Sequence, residues 1–291
     1  MDGRAAAPGA GTVVNALATG VGSAFALDLE TTATVSLDPD ADGVTGTIAG
    51  DPEGDTTLIE RCVERVVDAH GADEGGTVRT ESEVPTAAGL KSSSAAANAT
   101  VLATLSALGL EVATDPDADV APVEACRIGV DAARDAGVTV TGAFDDASAS
   151  MLGGVTVTDN REDDLLDRGA SFAEHALVWT PPERAYSAET DVSACERVAP
   201  MAELASELAL SGEHARAMTV NGLAFSAALG FPTEPAVEAM AACDGVSLSG
   251  TGPSVVAVGD RERLRTVRDR WDGREGETRL VDTRDRGARV L

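Results

Sequence analysis

The chain has 291 residues, and its 49 Asp and Glu against 22 Lys and Arg give a formal net charge of −27. Such a surface repels polyanions and anionic lipid leaflets, so we expect neither a nucleic-acid-binding nor a membrane-docking protein. Hydrophobic residues make up 43% of the chain, which is normal for a protein with a packed core and argues against disorder.

Lysine is almost absent, because Lys91 is the only one and every other basic residue is arginine. Many acids with so few lysines indicate a salt-rich cytoplasm, where the Debye length falls to about 3 Å at 1 M salt and self-repulsion is screened. An ordinary acidic protein with arginine-rich codon usage is the alternative. Either way, the surviving lysine draws attention to its position.

The length fits two modest domains or one large one. Four cysteines (Cys62, Cys126, Cys195 and Cys243) lie far apart without metal-ligand spacing, so we expect buried thiols in a reducing compartment. The uncharged stretches 5–27 and 92–110 contain too much Gly, Ala, Ser and Thr for a signal peptide or a membrane span. We therefore expect a cytoplasmic protein.

The first half mixes strand-like and helix-like segments. Alternation of apolar and polar residues predicts strands, and apolar residues at helical spacing predict helices. In chain order we predict a strand at Thr31–Leu37, a helix at Leu58–His70, a strand at Thr77–Val84, helices at Ser94–Leu108 and Val123–Ala136, and paired strands at Val138–Thr141 and Val155–Thr158.

An acidic, turn-like stretch at Asp159–Arg168 predicts a domain boundary, which gives domains of residues 1–158 and 159–291. Strands and helices do not alternate strictly enough for a doubly wound sheet, so we predict an α+β architecture in both halves. Beyond the boundary we predict, in chain order, strand Ala176–Thr180, helices Val198–Leu210, Glu213–Leu229 and Ala236–Ala242, strands Val246–Leu248 and Val255–Val258, helix Arg261–Trp271 and strand Thr278–Val281.

Four segments of low charge are rich in Gly, Ser and Thr: residues 7–20, 85–96, 137–146 and 249–254. The second is the most informative, because a Gly-Leu-Lys turn at Gly89–Lys91 runs through three serines into a long helix. Free N–H groups and the positive end of the helix dipole make such a junction a phosphate site, and Lys91 adds a point charge. An ordinary serine-capped helix is the alternative.

Several familiar motifs are excluded. The second segment lacks the glycines of a Walker A loop, and no G-x-G-x-x-G sequence supports a Rossmann fold. G-x-S-x-G and H-E-x-x-H are absent as well, and the histidines are scattered. The pair Asp145–Asp146, among small uncharged residues, could instead supply a carboxylate base for a hydroxyl nucleophile, or could be a solvated turn.

Together these segments resemble the GHMP small-molecule kinases, the superfamily of galactokinase, homoserine kinase and mevalonate kinase. The family's P-x-x-x-G-L-x-S-S-A loop is similar to Pro85–Ala95 with one extra serine, and its glycine-rich third motif is similar to Ser249–Ser254. The family's catalytic aspartate lies seven residues before a glycine; counted back from Gly153, this spacing falls on Asp146, with Asp145 as the alternative.

Within the superfamily the chain most resembles the archaeal-type shikimate kinases. The residues behind this likeness are Ala7–Gly11 with Asn15, Ala16, Thr19 and Gly20, then Gly89–Ser94, and Gly137–Asp146. It implies a first half like the second domain of ribosomal protein S5, a ferredoxin-like second half, and ATP- and Mg²⁺-dependent phosphorylation of the shikimate 3-hydroxyl on the route to chorismate. Homoserine kinase, mevalonate kinase or a non-catalytic nucleotide-binding module are the alternatives.

The resemblance also implies site residues, in a monomer or small homo-oligomer acting on a small molecule. Asp146, Asp145 and Lys91 would be catalytic. ATP would contact Pro85, Ala87, Ala88, Gly89, Leu90, Lys91, Ser92, Ser93, Ser94, Ala95, Gly250, Thr251 and Gly252. The acceptor would contact Gly11, Asn15, Thr141, Gly142 and Asp146.

Two departures from the family pattern affect these assignments. Mevalonate-kinase-like members carry a lysine beside the aspartate where this chain has Ala10. The resemblance therefore implies either that another cation, with Lys91 as the candidate, supports Asp146 or that the base is weaker. Magnesium would be held by Ser93 or Ser94 and by an acid on the predicted helix Val123–Ala136, before the segment 137–146, for which spacing favours Asp135 over Asp131.

Overall fold

The computed structural model of the chain describes residues 1–139, 142–183 and 191–291. Its elements, in chain order, are β1 Asp2–Val14, β2 Val21–Asp38, β3 Val44–Ile48, α1 Thr57–His70, β4 Gly75–Ser82, α2 Ser92–Ala107, α3 Pro122–Asp135, α4 Phe144–Leu152, β5 Val155–Asp159, β6 Asp164–Gly169, β7 His175–Thr180, α5 Val192–Glu196, α6 Ala199–Leu210, α7 His214–Leu229, α8 Glu234–Ala239, β8 Gly245–Leu248, β9 Val255–Gly259, α9 Arg261–Trp271, β10 Glu277–Asp282 and β11 Arg289–Val290.

The first sheet is built around the long strand β2. Its strand order is β11-β1-β2-β4-β3, and β5 pairs with the beginning of β2 while β4 pairs with its end. All of these pairs are antiparallel except β3 with β4. The helices α1 to α4 pack together with this sheet around the larger apolar core.

Helix α2 lies at the centre of this half, buried on nearly every side and in contact with β1, β2 and the three other helices. A helix in such a place needs small or apolar residues all round rather than on one stripe, which explains its many alanines. The approach to β1 is very close: a Cβ added to Gly3 would lie 2.0 Å from the carbonyl oxygen of Ala103.

The second sheet has four antiparallel strands in the order β10-β7-β9-β8. With helices between β7 and β8 and with α9 between β9 and β10, this is a ferredoxin-like βαββαβ arrangement, and the α+β prediction is confirmed for both halves. Helix α7 packs against α6, β8 and β1, so it joins the second half to the first.

The first sheet continues past the boundary predicted at residue 159. Strand β6 pairs with β5, and β11 returns from the end of the chain to pair with β1. Because β6 is an edge strand with mostly exposed side chains, its sequence is polar and resembles a turn. Composition alone therefore missed it.

The segment leading to the paired aspartates also differs from the prediction. Val138 and Thr139 are not in a strand, and residues 140–141 lie outside the described residues. Gly137 and Gly142 have φ angles of +68° and +87°, which interrupt an extended chain. Asp145 and Asp146 instead lie in the first turn of α4, a helix whose residues are almost all buried.

The contact between α2 and β1 gives a stability prediction. We expect Gly3→Ala to lower the free energy of unfolding by about 1–3 kcal/mol, because the added methyl group overlaps a backbone carbonyl that can move little. Urea unfolding followed by circular dichroism in molar KCl measures this. The matched control is Gly169→Ala, where the only neighbour of the added Cβ is Val155 Cγ1 at 3.6 Å; equal effects of the two changes would contradict the close packing.

Candidate active site

The loop before α2 is folded so that the helix opens on an unpaired row of N–H groups. Ala87, Gly89 and Lys91 have φ angles of +54°, +76° and +64°, and Lys91 is the residue that caps the helix. The first hydrogen bond of the helix runs from the Ala95 N–H to the Lys91 carbonyl oxygen at 3.0 Å. The N–H groups of the three serines at 92–94 therefore lack acceptors inside the helix and can bind an anion.

Three segments that are distant in sequence meet at this loop. Ser249 Oγ donates a hydrogen bond to the Gly89 carbonyl at 2.8 Å, and the Gly250 N–H donates to Thr12 Oγ1 at 2.7 Å. A Cβ on Gly89 would lie 2.2 Å from the Ser249 carbonyl oxygen, so only glycine permits this approach. The end of β1, the serine-rich loop and the glycine-rich loop after β8 thus form one site.

Lys91 and Asp146 form a buried ion pair at the centre of the site. Lys91 Nζ lies 2.8 Å from Asp146 Oδ1, and the side chains are 6% and 15% exposed. The same ammonium group would be 2.8 Å from a Cβ on Gly250, so it also contacts the glycine-rich loop. The cation expected beside Asp146, in place of the lysine missing at Ala10, is therefore Lys91.

Burial raises the pKa of Asp146 to about 7, the negative charge of Asp145 contributes in the same direction, and Lys91 opposes both. A carboxyl group with this pKa is half ionised near neutral pH, so it can both accept and release a proton there. Sequence reasoning placed the aspartate in the site but could not supply this property, because it depends on how deeply α4 is buried.

The neighbouring Asp145 is held by Asn160, a residue that sequence reasoning missed. Asn160 Nδ2 donates to Asp145 Oδ1 at 2.6 Å, while its Oδ1 accepts from the Asp145 N–H at 3.1 Å and from Thr158 Oγ1 at 2.7 Å. The carboxylate of Asp145 is therefore fixed in place by an amide. Of the two aspartates, Asp146 has the lysine partner and the raised pKa that suit a base.

A cleft with about 430 Å³ of open space lies in front of the ion pair. All three predicted catalytic residues and part of the glycine-rich loop meet there. Its lining residues are Thr12, Asn15, Ala16, Leu17, Lys91, Thr139, Ala143, Asp145, Asp146, Gly250 and Thr251.

Other predicted contact residues lie behind the cleft. Leu90 and Ala95 are in the apolar core and attach the serine-rich loop to it. Gly11 packs against the ring of Phe25, since a Cβ there would lie 2.7 Å from ring atoms. Gly142 lies beneath the guanidinium of Arg134, and Thr141 is outside the described residues.

The magnesium ligand expected at Asp135 is not brought to the serines. Its carboxylate lies at the protein surface and accepts a hydrogen bond from Arg65 Nε at 2.6 Å, while Asp131 pairs with Arg65 and Arg134. Sequence spacing could not show which way the acids of this helix point. Among the described residues no group of three or more His, Cys, Asp or Glu side chains could hold a metal ion.

Within the described ranges, no helix is long and apolar enough to cross a membrane. The two uncharged stretches of the sequence belong to the folded elements: residues 92–110 form α2 and the turn after it, and residues 5–27 span most of β1 and the start of β2.

Three features lie on these two sheets: a helix N-terminus suited to binding phosphate, a glycine-rich loop that packs against it, and a buried carboxylate. Together they define a small-molecule kinase of the GHMP class. The sequence model of the GHMP kinases N terminal domain matches residues 57–154. Homoserine kinase from Cytophaga hutchinsonii is similar in structure, with a TM-score of 0.78 over 100% of this chain and 97% of that one, at 17% identity. That likeness establishes the fold.

Proteins of similar sequence narrow the assignment within the GHMP class. The chain is 65% identical over 290 residues to shikimate kinase of Halobacterium salinarum, covering 100% of both proteins. It is 49% identical over 284 residues to shikimate kinase of Methanosarcina acetivorans, covering 97% and 94%. The chain belongs to the shikimate kinase family, in its archaeal form, and the Halobacterium relative agrees with the salt adaptation inferred from composition.

The ion pair predicts how Asp146 titrates. By ¹³C NMR of Asp carboxyl groups, with Asp146→Asn used to assign the signal, we expect a midpoint near pH 7. Lys91→Met should raise this midpoint, because a positive charge that favours the carboxylate is lost. Asp145→Asn should lower it, because a repelling negative charge is lost. Shifts in the same direction for the two variants would contradict the arrangement described.

Proposed function

We propose that this protein transfers the terminal phosphoryl group of ATP to the 3-hydroxyl of shikimate, giving shikimate 3-phosphate and ADP. The whole-chain similarity to shikimate kinases is the observation that carries the choice of acceptor. The buried Lys91–Asp146 pair lies beside the N-terminus of α2, which is suited to binding phosphate, and this arrangement supports phosphoryl transfer as the reaction. We place the activity in a salt-rich cytoplasm, where high ionic strength screens a net charge of −27.

On the nucleotide side, the residues present fit a chain of phosphates. The N–H groups at the start of α2 and the positive end of its dipole favour an anion. Gly89 lies close to Ser249, and Gly250 lies close to Lys91. The serine-rich loop and the glycine-rich loop therefore each present backbone without a side chain at these glycines. In this proposal the serine-rich loop and Gly250–Gly252 hold ATP, and Lys91 neutralises charge at the group being transferred.

The hydroxyls of Ser93 and Ser94 also fit a magnesium ion bound together with phosphate oxygens, because hard oxygen ligands suit it and it commonly needs few protein groups. When bound, the ion would neutralise charge on the phosphates. Asp135 is left out of this set because its carboxylate pairs with Arg65.

On the acceptor side, Asp146 orients the attacking hydroxyl and accepts its proton. Phosphoryl transfer depends mostly on positioning and on charge neutralisation, and this arrangement provides both. Lys91 Nζ contacts the base and the glycine-rich loop at once, so a single ammonium group lies between the proton acceptor and the phosphates. Asp145, fixed by Asn160, keeps a second negative charge beside the base.

The acceptor is tested by ADP release in molar KCl with shikimate, homoserine or mevalonate as the only alcohol. We expect turnover with shikimate and a rate at least about 10²-fold lower with the other two, because a site built for one set of hydroxyls leaves its polar groups unpaired with another. Turnover confined to homoserine or mevalonate would overturn the proposed acceptor. No turnover with any of them would favour a nucleotide-binding module.

The assignment of the base is tested by matched Asp→Asn changes. Asp146→Asn should lower kcat by about 10²–10⁴-fold, because the proton acceptor is lost, while ATP binding measured by calorimetry persists. Asp135→Asn should leave kcat within about twofold, as for a surface change away from the site. Near-normal turnover of the first variant, or loss of turnover in the second, would contradict the roles proposed here.

A further inference from the structure

Asn221 on α7 lies outside every motif discussed above, yet it touches the cleft wall from the second half of the chain. It is fully buried. Its Oδ1 accepts a hydrogen bond from the Asn15 N–H at 2.8 Å, and its Nδ2 donates to Ser247 Oγ at 3.0 Å. With a partner at each end, the carboxamide is fixed in one orientation.

Asn15 continues this connection into the site. Its Nδ2 donates to the Gly250 carbonyl at 2.9 Å, and its Oδ1 accepts from the Leu17 N–H at 2.9 Å. Leu17 and its neighbour Ala16 line one wall of the cleft, and Gly250 lines another. Both ends of the Asn15 amide are therefore engaged inside the protein, and the side chain, which itself lines the cleft, links two of its walls.

Gly250 is the place where this connection meets the ion pair. A Cβ on Gly250 would lie 2.8 Å from Lys91 Nζ, and the Gly250 N–H donates to Thr12 Oγ1 at 2.7 Å. Any shift of the glycine-rich loop toward phosphates must therefore move Asn15, and with it the Leu17 turn. Asn221 provides the fixed point for that movement, because α7 packs on β8 just before the loop.

We propose that the hydrogen-bonded amides of Asn15 and Asn221 form a positioning latch that couples the two substrate subsites, so that each bound substrate strengthens binding of the other. This rests on the proposed function, which assigns the Gly250 loop to the nucleotide and Asp146 to the acceptor; the Leu17 wall, which lines the same cleft as Asp146, is taken here as part of the acceptor subsite. Asn221 is a positioning residue that acts through Asn15 and Gly250.

The test is calorimetric binding of a non-hydrolysable ATP analogue, with and without saturating shikimate, in molar KCl. In the unmodified protein shikimate should tighten analogue binding by at least about fivefold, the lower end of usual coupling between sites. Asn221→Leu keeps the branched shape and the number of side-chain heavy atoms but removes both hydrogen bonds, and it should reduce the effect to below about twofold. A loss of stability alone would not lower the ratio between the analogue affinities measured with and without shikimate.

Ser247→Ala is the matched control, because it removes a partner of Asn221 but leaves the bond to Asn15, and it should keep the coupling. If Asn221→Leu does not fold, Asn15→Ala breaks the latch from the other side and decides the question. Three results would overturn the latch. They are unaltered coupling in Asn221→Leu (or in Asn15→Ala, where that variant is used), an equal loss of coupling in Ser247→Ala, and no coupling in the unmodified protein. Failure of the proposed function shows separately, as no ADP release with shikimate; coupling is then measured with whichever alcohol is turned over.

Discussion

The buried contact between Lys91 and Asp146 is the interaction on which the rest of the site depends. It joins the residue before α2 to the first turn of α4, and so fixes the distance between the serine-rich loop and the proposed base. Removing one partner of a buried ion pair commonly costs about 3–5 kcal/mol, because the other charge is left without compensation. The pair therefore constrains both helix starts as well as the chemistry between them.

Small residues make this contact possible. The base and the lysine can meet only if α2 lies deep against the sheet, and it does so because Gly3 and Ala103 allow backbone to touch backbone. The glycine-rich loop can then reach the lysine because Gly89 and Gly250 carry no side chain. The alanine- and glycine-rich composition of this half is thus a consequence of close approach between elements, and it also explains why uncharged stretches resembled membrane segments.

Features set by local sequence could be predicted, and features set by long-range contacts could not. The helix start at the serines, the lone Lys91 and the glycine-rich loop follow from neighbouring residues, and the structure places them together. The sequence around Asp146 predicts a loop where the structure has helix α4, since its small residues show no clear periodicity. Asp135 was chosen by spacing, but its direction is decided by Arg65 on another helix. Asn160 and Asn221 gave no signal, because an amide becomes informative only once its partners are known.

The choice of lysine at position 91 follows from the charge of the whole chain and the shape of this cavity. Two arginines close to the cleft are already paired, Arg134 with Asp163 and Arg161 with Asp159. A guanidinium is a broad planar fork suited to such bidentate pairs, whereas an ammonium group is a compact point charge. Lys91 Nζ lies 2.8 Å from a carboxylate on one side and close to the backbone of Gly250 on the other, a position that suits the compact group. In a chain whose other Lys and Arg positions are all arginine, the one lysine therefore stands where its two neighbours favour the smaller cation.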